Sequence, residues 1–261
     1  MIDGARVAVV VPAHNEARLV ARTLRGIPAF VDHVVVVDDA STDGTVREVR
    51  TVEDPRIELV RHPINRGVGA AIVAGYRRAF ASGADVAAVM AGDGQMDPED
   101  LPRVLAPVIE GDADYTKGDR LSHPDAFVAM PLARWIGNHG LSAMTRVATG
   151  LPIRDSQCGY TAISRTAFGH LDAHAIWPRY GYPNDLLSRL AMADLRVRDV
   201  VVRPVYGEER SGIRPRDLVA TFPRVLATGL ARRLQRALRP SAPAPMPTTR
   251  DDDRQPASLV V

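Results

Sequence analysis

The sequence predicts an α/β fold: a mostly parallel central sheet with helices flanking it. Three observations predict it. Short β-branched or apolar runs recur at Val7 to Val11, Val34 to Val37, Ile57 to Val60, Val86 to Met90 and Val197 to Val202. Continuous runs of this length suit strands buried on both faces, as in parallel sheets. Helical patterns lie between them, as βαβ units require. Three of the runs end abruptly in small polar clusters, and in open parallel sheets ligands collect at the carboxyl ends of the strands.

The elements follow in chain order. After the first run comes Pro-Ala-His-Asn-Glu at 12–16, and Glu16 to Ile27 then places Leu19, Val20, Thr23, Leu24 and Ile27 on one helical face. The second run ends in Asp-Asp-Ala-Ser-Thr-Asp-Gly at 38–44, where Ser41, Thr42 and Asp43 are candidate caps for a helix over 43–51. The Gly- and Ala-rich stretch 67–81 reads as a helix behind the turn Asn-Arg-Gly-Val-Gly at 65–69. The run at Val86 ends in Ala-Gly-Asp-Gly-Gln at 91–95, and Pro98-Glu99-Asp100 opens another helix, with Asp97 expected to cap it. The second half is less regular. Residues 131–150 read as a helix containing Trp135, Ile136, Leu141, Met144 and Val147, and 183–193 read as another. Residues 215–239 read as a long basic helix interrupted at Pro223. Beyond Pro240 the composition turns to Pro, Ala and Ser and then Asp251 to Asp253, too little apolar content to fold. The expected organisation is one domain over 1–212, a basic amphipathic helix over 213–239 and a disordered tail over 240–261.

Composition narrows the function classes. The chain has 261 residues, room for one large α/β domain or two small ones. A net charge of +2 makes no global case for nucleic acid. A single cysteine, Cys158, excludes an intramolecular disulfide framework and suits a reducing cytoplasm. The first residues lead straight into a strand pattern without a signal-peptide pattern. No apolar stretch approaches the ~20 residues of a membrane span.

The polar clusters at the strand ends are the candidate site. A base and ribose offer hydroxyls and ring nitrogens to carboxylates and amides, and a diphosphate needs a cation or backbone N–H groups. Each cluster alone has a plainer reading. The 38–44 run could be a turn and helix cap, Asn15-Glu16 a helix start, and 65–69 a tight turn before a closely packed helix. Their order and spacing together are more specific.

Taken together, Val-Pro-Ala-His-Asn-Glu at 11–16, Val-Asp-Asp-Ala-Ser-Thr-Asp-Gly-Thr at 37–45, Asn-Arg-Gly-Val-Gly-Ala-Ala at 65–71 and Gly-Asp-Gly-Gln-Met-Asp-Pro at 92–98 resemble the family 2 glycosyltransferases. More narrowly they resemble the dolichol-phosphate mannosyltransferase and polyprenyl-phosphate glycosyltransferase branch, over about Val7 to Arg214. The resemblance implies a GT-A, Rossmann-like fold, a UDP- or GDP-sugar donor and inversion at the anomeric carbon. It implies that Pro12, Ala13, Asn15 and Glu16 line the nucleoside and that Asp39 contacts the base or ribose. Asp93 and Gln95 would face the diphosphate and a Mg2+ or Mn2+ ion. The family's first metal-binding acid falls on Ala91, so one ligand is missing and the ion would be weakly held.

The acceptor side follows from the same resemblance. Lys117, Arg120 and Arg134 would meet phosphates, for which arginine forks are well matched. A solvated helix face is the plainer reading of Arg134. Asp155, in Asp-Ser-Gln-Cys-Gly-Tyr, would sit below the sugar, and Cys158 would be a small packed residue. Asp185 is the candidate general base, or simply an acid in the first turn of its helix. Arg210 and Ser211, between the hinge glycines Gly207 and Gly212, would close on donor and acceptor phosphates.

The basic helix suits an anionic membrane surface, where a polyprenyl phosphate acceptor would lie, or its own domain with a solvated basic face. Peripheral placement at the inner face of the cell membrane is the matching expectation. A Rossmann dehydrogenase is rejected, because its Gly-x-Gly-x-x-Gly does not follow the first strand. A sugar nucleotidyltransferase would carry a Gly-rich basic loop there, which is absent. A soluble small-molecule acceptor and a non-catalytic nucleotide-sugar-binding relative remain as alternatives.

Overall fold

The computed structural model describes residues 1–206 and 221–238. Among them, seven strands form one sheet in the order β3-β2-β1-β4-β6-β5-β7. The strands are β1 (Val7–Ala13), β2 (His33–Asp38), β3 (Ile57–Arg61), β4 (Val86–Val89), β5 (Tyr115–Asp119), β6 (Thr161–Ser164) and β7 (Val197–Val201). Only β6 runs against its neighbours, β4 and β5; the other pairings are parallel.

The helices are α1 (Val20–Gly26), α2 (Thr45–Arg50), α3 (Val68–Ala81), α4 (Leu101–Ile109), α5 (Ala126–Ala129), α6 (Leu132–Thr149), α7 (Arg165–Gly169), α8 (Tyr182–Met192) and α9 (Phe222–Ala237). Side chains alternate across the strands and build two cores. Val7, Val9 and Val11 of β1 and Val34 and Val36 of β2 pack with α1 and α4 around Leu24, Leu101 and Leu105. Ala8, Val10, Val35 and Val37 pack with α3 and α8 around Ile72, Tyr76, Leu186 and Leu190. Each fully buried valine contributes about 1.5–3 kcal/mol, which fixes the centre of the sheet and hence the position of its polar carboxyl edge.

The central strands are buried on both faces as expected, but β3 and β7 are not. Both sit at sheet edges, and both are partly exposed. Their charged residues, Glu58 and Arg61 on β3 and Arg198 on β7, keep the open edges in water. Strands β5 and β6 have no counterpart in the sequence reading. Tyr-Thr-Lys-Gly-Asp and Thr-Ala-Ile-Ser are too polar and too short to show as buried strands.

Several boundaries move for local reasons. Helix α1 starts at Val20, four residues after Glu16. Helix α2 has Gly44 as its N-cap with no side-chain bond; Asp43 instead accepts from Thr45 N and Ala17 N. Asp97 does cap, accepting from Glu99 N at the start of a short 3-10 turn, Pro98–Asp100, that leads into α4.

Pro223, expected to interrupt the basic helix, falls at the start of its described part. It lies in the first turn of α9, where a missing N–H costs nothing. Residues 213–220 and 239 of the expected basic helix, and all of 240–261, lie outside the described residues. Phe222, Val225 and Gly229 bury α9 against the body, with Gly229 resting on Ser188 of α8 and Ala148 of α6. Its arginines turn inward too: Arg232 donates to Asp185 at 2.6 Å, and Arg236 pairs with Asp194. The own-domain reading of this helix therefore describes its inner side.

Helix α3 approaches β1 so closely that a Cβ on Gly75 would lie 2.2 Å from Val10 Cγ1. Gly75→Ala is expected to overpack this contact and lower stability by about 1–3 kcal/mol in urea unfolding.

Candidate active site

The carboxyl ends of β1, β2, β4 and β5, together with the segment entering β6, converge on one edge of the sheet. At the first two ends the loops are stitched to each other. Asn15, in the left-handed region at φ 59°, donates its N–H to Ser41 Oγ at 2.9 Å and accepts from Thr42 N at 2.9 Å. Glu16 N donates to Thr45 Oγ1 at 2.8 Å. Pro12 and Ala13 are buried within β1, so they offer backbone and a floor rather than exposed side chains.

Asp39 is more enclosed than its expected contact with a base or ribose suggests. It is 3% exposed and ties three segments together. Its Oδ1 lies 2.7 Å from His62 Nδ1 and accepts from Arg66 N at 2.9 Å, while Oδ2 accepts from Gly67 N at 2.7 Å. Burial alone would raise the carboxyl, but these donors hold it below the usual carboxylate range. The turn at 65–69 takes its plainer reading. A Cβ on Gly69 would lie 2.4 Å from Trp177 O, so glycine lets α3 pack under residues 177–178.

The turn after β4 is folded on itself. Gly92 N donates to Pro12 O at 3.1 Å, Gln95 N donates to Asp93 Oδ1 at 3.1 Å, and Gly94 takes a φ of 73°. Asp93 and Gln95 are both half-buried. Ala91 offers no side-chain oxygen, and its N–H points to Met96 Sδ at 3.2 Å. The acidic field here is strong. The Glu16 carboxyl is pushed up to about 7, first by burial and then by the charges of Asp93 and Asp43. Among the described residues no cluster of three or more His, Cys, Asp or Glu side chains is placed to hold a metal. Asp93 with the Gln95 amide fits the looser alternative, a hard cation that keeps its waters and shares diphosphate oxygens.

On the other side, Arg120 and Asp155 form a bidentate pair. Arg120 Nε donates to Asp155 Oδ2 at 2.8 Å and Nη2 to Oδ1 at 3.1 Å. Asp155 is fully buried and also accepts from the N–H groups of Gln157 and Cys158. Burial opposes its charge, yet Arg120 outweighs burial and the carboxyl sits below its ordinary value. The third arm of Arg120, Nη1, donates to Tyr206 OH at 3.2 Å, and Arg134 Cζ lies 5.5 Å from the Tyr206 ring centroid. Tyr206 thus contacts both guanidinium groups, one at its hydroxyl and one at its ring.

Three expected site residues are corrected by their surroundings. Asp155 cannot lie open beneath a sugar, because it is sealed and fully engaged with Arg120; it positions that arginine. Lys117 is wholly buried on β5, with Nζ donating to Cys158 O rather than presented to a phosphate. Burial lowers its pKa. Asp185 is 4% exposed and accepts from Trp177 N at 2.9 Å, Arg189 Nε at 2.8 Å and Arg232 Nη1 at 2.6 Å. A carboxylate that holds two arginines and a backbone N–H acts in this structure as a clasp. Arg210 and Ser211 lie outside the described residues.

Two features escaped the sequence reading. Tyr206 gave only an aromatic before a Gly-rich stretch, with no spacing that links it to Arg120 or Arg134. The buried ionic layer under Arg120 also includes Asp199 on β7, whose carboxyl is pushed up to about 6 by burial and by Asp119 and Asp155. Its place on the same face of β7 as Val197 and Val201 was the available signal.

Asp155→Asn is expected to leave Arg120 buried without its counter-charge and to cost about 3–5 kcal/mol in chemical unfolding at pH 7. Because the folded-state pKa is lowered, the pair's contribution is present above the ordinary carboxylate range and is lost as pH falls through the folded value. Wild type and variant should therefore converge in acid.

Comparison with known proteins agrees with this architecture. The chain is 29% identical over 215 residues to the UDP-N-acetylglucosamine–dolichyl-phosphate N-acetylglucosaminyltransferase of Methanococcus voltae, covering 77% of this chain and 86% of that protein. It is 33% identical over 208 residues to the undecaprenyl-phosphate mannosyltransferase of Micrococcus luteus, covering 78% and 85%. In structure it is similar to glucosyl-3-phosphoglycerate synthase from Mycobacterium tuberculosis, solved with Mn2+, UDP and phosphoglyceric acid, at a TM-score of 0.64 and 23% identity over 88% of this chain and 78% of that one. The fold is GT-A. Residues 8–172 match glycosyl transferase family 2, and the chain belongs to that family.

Proposed function

We propose that this glycosyltransferase moves a sugar, with inversion, from a nucleotide-diphospho-sugar to the phosphate of a polyprenyl phosphate at a membrane surface. The observation that carries the reading is the pair of guanidinium groups, Arg120 and Arg134, held together by Tyr206 at the edge where the Asp93 turn also lies. Asp155 and Tyr206 use three of the five N–H groups of Arg120; the two left over, with the positive charge of Arg134 nearby, suit a terminal phosphate, which offers several oxygens and nearly two charges. The names of the relatives from Methanococcus voltae and Micrococcus luteus point to the same acceptor class.

In this reading Asn15 and Glu16 stand at the mouth of the nucleoside pocket, Pro12 and Ala13 form its floor, and Asp39 braces its wall. Asp93 and Gln95 face the donor diphosphate and would hold a Mg2+ or Mn2+ ion through few protein ligands. Such an ion supplies charge neutralisation for the departing nucleoside diphosphate. Arg120 and Arg134 aim an acceptor phosphate oxygen at the anomeric carbon. A new C–O bond forms on one face as the bond to the donor β-phosphate breaks on the other. A phosphate is already ionised near neutral pH, so the step needs no general base. This agrees with an Asp185 already engaged by Arg189, Arg232 and the N–H of Trp177.

The test is a panel of UDP- and GDP-sugars, run with and without polyprenyl phosphate and Mn2+, with nucleotide release and product mass measured. Release that depends on polyprenyl phosphate supports the proposal. Equal release with soluble acceptors, or binding without any turnover, would falsify it. Arg134→Gln is expected to raise the acceptor KM about 10- to 100-fold, the scale of one lost charged hydrogen bond, and to leave the donor KM unchanged. Excess chelator is expected to reduce turnover and added Mn2+ to restore it; undiminished activity in chelator would remove the ion from the reaction.

A further inference from the structure

The segment from Asp155 to Tyr160 lies between the two halves of the site. At one end Asp155 grips Arg120. At the other, a Cβ on Gly159 would lie 2.9 Å from Met96 Cε, and the Tyr160 hydroxyl donates to Asp97 O at 3.0 Å. The turn that carries Asp93 is therefore its neighbour. A sugar handed from a diphosphate at that turn to a phosphate at Arg120 has this segment beside it. Asp155 is sealed and cannot read the sugar. Gln157, two residues on, is only half-buried.

A chain of hydrogen bonds that starts deep in the protein sets the orientation of the Gln157 amide. The one O–H of Thr145 donates to Leu141 O at 2.7 Å, one turn back in α6. Thr145 Oγ1 therefore accepts from Asn184 of α8, at 2.5 Å, and Asn184 must show it Nδ2. That leaves Asn184 Oδ1 toward Gln157, which answers with Nε2 at 3.1 Å. Nε2 also donates to Ser156 Oγ at 2.8 Å, so both amide hydrogens are engaged. Thr145, Ser156 and Asn184 are all buried. A flipped Gln157 amide would set carbonyl against carbonyl in this layer, where an unmet polar group is costly. Oε1 is left over: no described residue donates to it, and it is not closed off from solvent.

We propose that Gln157 Oε1 accepts a hydrogen bond from the donor sugar and helps select it, with Asn184 and Thr145 as the residues that position it. A fixed amide carbonyl reads an O–H or an N–H and nothing else. It favours a sugar with a hydroxyl or an amide N–H at the position it faces, and it disfavours the deoxy sugar there. The inference deepens the nucleotide-sugar reading and rests on it. It does not depend on which acceptor takes the sugar.

The experiment uses the full chain without acceptor. Titration calorimetry in Mn2+ measures the affinities of UDP and GDP, of the UDP- or GDP-sugar that binds best, and of its monodeoxy analogues. In the wild type one analogue is expected to bind about 3- to 10-fold more weakly than the parent sugar, the scale of one net hydrogen bond. Gln157→Ala should weaken the parent by the same factor and leave that analogue and the free nucleotide unchanged. It keeps the backbone N–H that Asp155 accepts. Thr145→Val, which removes the oxygen that orients Asn184, should also reduce the discrimination, and Thr145→Ser should retain it. The Thr145 pair carries the test should Gln157→Ala fail to fold. Equal weakening of the parent and every analogue, or no change in either, overturns the proposal and leaves the donor reading standing. So does a wild type that binds every deoxy analogue as it binds the parent. A chain that binds none of the nucleotide-sugars overturns both.

Discussion

The bidentate pair of Arg120 and Asp155 organises the end of β5 and the approach to β6. Asp155 gathers two side-chain arms and the N–H of Arg120, and the N–H groups of Gln157 and Cys158. Such a carboxylate is costly to bury, and only this full set of donors offsets the desolvation. The end of β5 and the approach to β6 are thereby held in register with each other. Arg120 in turn fixes Tyr206, and Tyr206 fixes the orientation of Arg134. The placement of both guanidinium groups is thus set from beneath, by a residue that itself touches no solvent.

Asp39 does the same work at the nucleoside side. It too is buried, and it draws its donors from one stretch, His62 to Gly67, that lies 23 to 28 residues further along the chain. The two carboxylates explain where sequence reasoning erred about the site. An Asp at a strand end, beside a turn, is visible as special from its neighbours. Whether its oxygens face a ligand or the protein's own N–H groups depends on loops that arrive from elsewhere in the chain. Asp185 is the third instance, since the arginine that completes its clasp, Arg232, lies 47 residues away.

The fold was more legible than the site. Strands β1, β2 and β4 announce themselves because burial on two faces demands unbroken apolar runs. Strands β5 and β6 do not, because one carries the buried ions Lys117 and Asp119 and the other spans only four residues. Arg120 and Arg134 stood out through the resemblance of the chain to a known family. The contact that joins them runs through Tyr206, 86 residues after Arg120, and no local pattern encodes it.

The reversed direction of β6 has a consequence for how this chain tolerates change. Every other strand delivers its following loop to the functional edge of the sheet. Strand β6 starts at that edge, with Thr161 paired to Val89, and finishes at the far edge, with Ser164 paired to Val86. The residues before β6 are therefore part of the working surface, whereas α7 and the turn after it hang from the opposite rim. Insertions, labels or fused domains placed near residues 169–174 would extend the molecule away from its chemistry, while a single added residue between Asp155 and Tyr160 would shift the registration of the site itself.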